Sequence, residues 1–243
     1  MIDIATFYRR ARYRAVTWTS TRQHLYYGLR KLTHQTDHLC IRRDTDIVIE
    51  GYPRSANSTT VHGFKAMQDR PLHIAHHKHH AAQLLRAAAW RVPAVCLIRA
   101  PREAMISNLA LVAEARHRAG KPETGGLRFS DVLSSYIAFY EAAESTLDHV
   151  VIGRFEEVIN DVSGLITRVN ARFGTNFRTA GGARAERSNL GWHAMPNEIR
   201  ARIKKDLERR FYAALMESSS LRRQLARAEG VHRRYVEQDE HAG

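Results

Sequence analysis

The chain has 243 residues, enough for one domain with a sizeable core, and its 44% hydrophobic and 26% charged composition excludes a low-complexity chain. Charge is the outlier: 38 Lys+Arg stand against 25 Asp+Glu, a net +13 with histidine neutral. That balance favours polyanionic partners (nucleotide, nucleic acid, anionic lipid or acidic glycan) without choosing among them.

Cys40 and Cys96 are isolated, with no CxxC, which argues against a zinc site or a disulfide framework and makes a reducing compartment the default. Cys96 lies in the apolar run VPAVCLI and reads as a buried thiol. No run of 18 apolar residues exists, so nothing is expected to span a membrane. The expected location is the cytoplasm, with the inner face of a membrane as its alternative setting.

Residues 5–33 read as helical. They are basic and aromatic, with Phe7, Tyr8, Trp18, Tyr26 and Tyr27 among arginines. Two readings stand: a helix at a membrane surface, making peripheral contact, or a helix docked on the domain with its arginines in water. The second is preferred, because the apolar positions are not strongly segregated. Asp46 to Gly51 is a β-branched strand, ended by Pro53. A helix is expected over Ser58 to Gln68, with Asn57 or Ser58 at its N-cap. Leu72 to His76 reads as a short strand, 81–91 as an alanine-rich helix and 94–99 as an apolar strand. Helices follow over 103–118 and 129–147, separated by the Gly/Pro-containing loop 119–128. A strand over 150–153, a helix over 158–173, an irregular Gly/Arg-rich stretch over 178–193 and a helical tail from Pro196 to about Tyr235 complete the chain. Alternating strands and helices predict an α/β fold, a parallel sheet flanked by helices in one domain. Ligands of such sheets bind beyond the carboxyl ends of the strands, where the loops after Gly51 and Arg99 fall.

The first of these loops is Tyr52-Pro53-Arg54-Ser55-Ala56-Asn57-Ser58-Thr59. Strand, tight loop and helix N-terminus make an anion site, because unpaired amides and the helix dipole converge there. The loop lacks the Gly-Lys-Ser/Thr of an NTPase, so ATP hydrolysis is a poor reading. The second loop carries Arg99, Pro101, Glu103 and Ser107. Between them lies a histidine tract, with His73, His76, His77, His79 and His80. Metal binding, solvated loop and catalytic base are its three readings.

The two loops, in this order, resemble the motifs of the bacterial-type sulfotransferases that use 3′-phosphoadenosine 5′-phosphosulfate (PAPS). The resemblance covers about residues 45–195 and leaves helical extensions at both ends. It implies a P-loop-like nucleoside triphosphate hydrolase fold and transfer of the sulfuryl group to a hydroxyl or amine. The product would be 3′,5′-adenosine bisphosphate, and the chemistry requires no metal. The resemblance assigns the 5′-phosphosulfate to Arg54, Ser55, Ala56, Asn57, Ser58 and Thr59, and the 3′-phosphate to Arg99 and Ser107. Arg54 would stabilise the departing phosphate. The family's catalytic histidine falls on His79 or, with a slip in register, on His77; His79 is preferred, and in an extended segment both would face one side. Ala56 stands where the family has glycine, which requires a negative φ there. A late basic loop would supply Arg187 and Ser188, with Arg184 and Trp192 nearby. Phe155-Glu156-Glu157 stands where the family has Tyr-Glu-Asp.

Two other classes remain: a magnesium-dependent P-loop phosphotransferase, and a basic anion- or nucleic-acid-binding protein without catalysis. No nucleic-acid module is recognisable, so nucleic acid is not the expected partner. The acceptor is expected to be a small molecule, a glycan or a lipid head group. The positive charge prompts an anionic one, and the oligomeric state stays open.

Overall fold

Four short strands carry the fold: β1 (Ile47–Gly51), β2 (Ile74–His76), β3 (Ala94–Ile98) and β4 (Val151–Arg154). All are parallel, in the order β2-β1-β3-β4. The computed structural model describes residues 4–33, 38–123, 126–180 and 197–242. β1 and β3 are buried along their whole length, which is why their sequences are apolar runs rather than alternations.

Ten helices cover the two faces among the described residues: α1 (Ile4–Ser20), α2 (Gln23–Leu32), α3 (Asn57–Met67), α4 (Ala81–Trp90), α5 (Pro101–Arg118), α6 (Phe129–Ala143), α7 (Phe155–Val158), α8 (Ser163–Phe173), α9 (Glu198–Glu217) and α10 (Ser219–Ala242). Ile47, Ile49, Val95 and Leu97 pack against Val61 and Phe64 of α3 and Leu165, Ile166 and Val169 of α8. Val48, Cys96 and Ile98 face the other way, onto Leu84 of α4, Tyr136 and Tyr140 of α6, Phe211 of α9 and Tyr235 of α10. Each such fully buried aliphatic side chain contributes about 2 kcal/mol of transfer free energy.

The α/β class and the parallel sheet stand as expected, and several details differ. The helix expected over 5–33 is two. Near its break Thr19, Ser20 and Thr21 turn their hydroxyls onto the carbonyls of Ala15, Thr17 and Trp18, competing with helix continuation. The helix expected over 158–173 begins only at Ser163, after the short α7, because the Asp161 carboxylate accepts from the Ser163 amide and starts the helix there. Helix α5 begins at Pro101, whose ring fits the first helical position, so Ser107 lies nearly two turns inside. The tail breaks at Ser218, whose hydroxyl accepts from the Leu221 amide and caps α10.

Helix α3 leaves β1 toward one face of the sheet, whereas α5 leaves β3 toward the other. The crevice between those two strand ends is therefore a topological switch point. Gly51 closes β1 there: a Cβ on it would stand 2.5 Å from the Leu97 carbonyl oxygen, so no larger residue fits.

Candidate functional site

Two loops at this edge hold unusual backbone. Among the described residues, five that are not glycine have positive φ: Arg54, Ala56, His77, His79 and Arg91. Arg91 is the C-cap of α4; the other four belong to the loops after β1 and β2. Left-handed conformation costs an L-residue about 1–2 kcal/mol, and such strain concentrates at functional sites. Ala56 has φ +70 and ends the loop as the N-cap of α3, with no side-chain cap. The expected negative φ is thus overturned, as is the expected cap at Asn57 or Ser58. The chain keeps a glycine-like turn although alanine occupies it, because buried Ser55 and Asn57 pin the loop on both sides.

Those two pins sort the predicted anion ligands. The Ser55 amide donates to the Tyr52 carbonyl, and its hydroxyl lies 3.4 Å from the Tyr140 hydroxyl. The Asn57 side chain donates to the same Tyr52 carbonyl. Both side chains face inward and build the loop rather than its ligand surface. Ser58 and Thr59 are partly exposed, at the open N-terminus of α3. There the first amides have no intrahelical acceptor.

Arg54 joins the two sequence motifs. Its Nε donates to Ser107 Oγ at 3.0 Å, and its carbonyl accepts from Arg99 Nη1 at 3.1 Å. Ser107 therefore reaches the first loop's arginine. Arg99 does not pair with Glu103, which takes Arg102 instead. The Arg99 guanidinium lies 3.7 Å from the centroid of the Phe155 ring, so the residue without a hydroxyl holds the arginine by its π face. Burial pushes the Arg54 pKa down to about 10, with Arg200 and Arg99 adding repulsion, and Arg54 stays cationic at neutral pH.

Helix α9 adds cations that the motifs did not indicate. Arg200 is buried against Glu114. Burial works to raise the Glu114 pKa, but bonds from Arg200, Arg118 and Asn197 hold it below the usual range. Lys204 has no ion pair among the described residues. Burial lowers its pKa, and Arg99, Arg54 and Arg200 lower it further. Lys204 lines a cleft of about 220 Å³ with Arg99, Arg102 and Tyr212, with Glu103 and Glu208 alongside. No sequence signal distinguishes Lys204 from the other solvated cations of its helix. Only packing turns it toward Arg99.

The histidines are held from β1. Glu50, fully buried, accepts the Lys78 amide at 2.7 Å, the His79 amide at 2.9 Å and Gln83 Nε2 at 3.1 Å. Burial pushes its pKa up, against the pull of His79 and these donors. An acid in the apolar run Ile47-Val48-Ile49-Glu50-Gly51 was the legible sign of this role. His79 Nδ1 donates to the Gly51 carbonyl at 2.8 Å, which in the neutral ring leaves Nε2 as the acceptor nitrogen. His77 is engaged at both nitrogens: Nε2 lies 2.8 Å from Ser58 Oγ, and Nδ1 lies 2.5 Å from His76 Nδ1. The rings of His77 and His79 are 6.0 Å apart. The segment is not extended, since both residues have positive φ, so the side-by-side geometry expected of a strand does not apply. Among the described residues no group of three or more His, Cys, Asp or Glu stands together as a metal site.

No protein-family model, curated protein or solved structure matches the chain. Arg187 and Ser188, with Arg184 and Trp192, lie outside the described residues. Cys96 and Cys40 are both buried free thiols, and burial pushes the Cys96 pKa up. Among the described residues no helix is long and apolar enough to cross a membrane.

Proposed function

We propose that the protein is a PAPS-dependent sulfotransferase with a P-loop-like fold. The observation that carries the reading is the junction of its two motifs: Arg54 bonded to Ser107 through Nε and to Arg99 through its carbonyl, at the switch point of a parallel sheet.

The donor supplies an electrophilic sulfur on a phosphate leaving group. Ser58, Thr59 and the open N-terminus of α3 suit the 5′ end, and Arg99 with Lys204 suits the 3′-phosphate. The 220 Å³ cleft takes one end of a nucleotide, being smaller than the ~300 Å³ of a whole small-ligand site. His79 Nε2 accepts the proton of the acceptor hydroxyl. The acceptor oxygen forms the new bond to sulfur, the bridging S–O bond breaks, and its electron pair leaves on the phosphate. Arg54, charged and partly desolvated, stabilises that developing negative charge. His77, bonded to Ser58, ties the histidine segment to the anion loop. The acceptor remains a hydroxyl-bearing small molecule, glycan or lipid head group.

The test is calorimetric titration of 3′,5′-adenosine bisphosphate without magnesium, with ADP as control. Preference for the bisphosphate, reduced about tenfold or more in Arg99→Ala, is the expected result. Equal binding of the two nucleotides, or binding that requires magnesium, would move a phosphotransferase to the front.

A further inference from the structure

Helix α1 is turned the wrong way round for a surface helix. Such helices normally put their apolar stripe on the core and their polar face in water. Here Arg10 and Arg14 reach inward to the buried carboxylate of Asp131, Tyr13 bonds to Tyr52, and Thr17 bonds to Ser135. The outer stripe is Ile4, Phe7, Tyr8, Ala11, Ala15 and Trp18, all exposed. At 3.6 residues per turn these six fall within about a third of the circumference. The four large ones are 84%, 65%, 69% and 54% exposed, in that order of Ile4, Phe7, Tyr8 and Trp18. Ten large hydrophobic side chains stand exposed among the described residues, and seven of them lie in α1 and α2. A concentration of that kind marks a docking surface.

Charge identifies the occupant. Residues 4–33 contain seven Lys and Arg and no Asp or Glu. Exposed Arg12 flanks the stripe, and Arg22 stacks on Trp18 at 4.2 Å. A second copy of the chain would bring the same cations against each other. An anionic bilayer meets both features: it takes the aromatic side chains at the headgroup boundary and neutralises the arginines. We propose that α1 lies on an anionic lipid surface, apolar stripe inward to the lipid, while its polar face grips the domain through Asp131. Because Tyr13 touches Tyr52 at 3.2 Å, the anion loop then sits about one helix diameter, ~10 Å, from the lipid. The inference rests on exposure and charge, and holds whether or not the site transfers sulfuryl groups.

The experiment is co-sedimentation of the full chain with phosphatidylcholine vesicles, with and without phosphatidylglycerol. Binding to the mixed vesicles alone is expected, with a blue shift of tryptophan emission. The triple variant Phe7→Ser, Tyr8→Ser, Trp18→Ser should weaken it about tenfold or more, and Arg12→Glu should weaken it measurably. These side chains are exposed, so thermal melting of the variants should match the parent. Indifference to phosphatidylglycerol, unchanged binding in both variants, or a lipid-free dimer that the triple variant abolishes would each overturn the proposal.

Discussion

His79 and His77 differ by what already occupies their nitrogens. His79 donates a hydrogen bond from Nδ1 to the Gly51 carbonyl, which leaves Nε2 for the proposed role of base, whereas His77 is engaged at both nitrogens. His79→Asn should therefore cut turnover at least ~100-fold with bisphosphate binding unchanged, as the loss of a general base does. His77→Asn should cost less and should also weaken donor binding, since it loosens Ser58. Steady-state kinetics alongside titration separates the two, and equal losses would return the base assignment to His77. At Ala56 the backbone asks for glycine, so Ala56→Gly should raise stability by about 1 kcal/mol in denaturant melts without weakening donor binding.

At the scale of elements, the contact that decides the position of α1 is Asp131. It sits in the first turn of α6 and takes Arg10, Arg14 and the Arg128 amide. Burial works to raise its pKa, but these donors hold it below the usual carboxylate range. Asp131→Asn leaves two arginines facing a neutral amide. It should cost about 2 kcal/mol and open Arg12 and Arg14 to trypsin, because both arginines can partly escape to water. Melting and limited proteolysis read the two effects. Glu50 does the same work for the histidine segment, holding two successive amides in a turn that has no ladder of its own.

For the whole molecule, two partly buried histidines contribute to the acid side of stability. Burial pushes His80 down to about 3 and His76 to about 4, from about 6.5 in the unfolded chain. The unfolded chain then takes up protons that the folded chain refuses, so stability is full above about pH 6.5 and falls as pH drops through that window. His80, the more buried of the two, accounts for up to about 1 kcal/mol per pH unit. Melting between about pH 7.5 and 4.5 should show the decline, and His80→Phe should flatten it.

Much of this was legible in the residues because its physics is local. β-Branched runs bounded by Pro53 and Pro101 fix β1 and β3, and the alternation of strand and helix fixes a parallel sheet. Loop composition after β1 suggests an anion loop wherever the rest of the chain goes, and Arg54, Arg99 and Ser107 were readable as candidates, the last two through the resemblance of the second loop. Helix breaks at Thr21 and Asp161 were not, because side-chain hydroxyls and carboxylates decided them against the hydrophobic period. Three things needed the tertiary structure. Ser107 meets Arg54 only because α3 and α5 leave the sheet on opposite faces. Lys204 joins the site from more than a hundred residues beyond Arg99 only because α9 packs on α5. The outward apolar stripe of α1 emerges only once Asp131 has drawn its arginines inward. Sequence determines what each segment prefers; long-range packing decides which side chains share one small, poorly solvated volume, and there charge and orientation become chemistry.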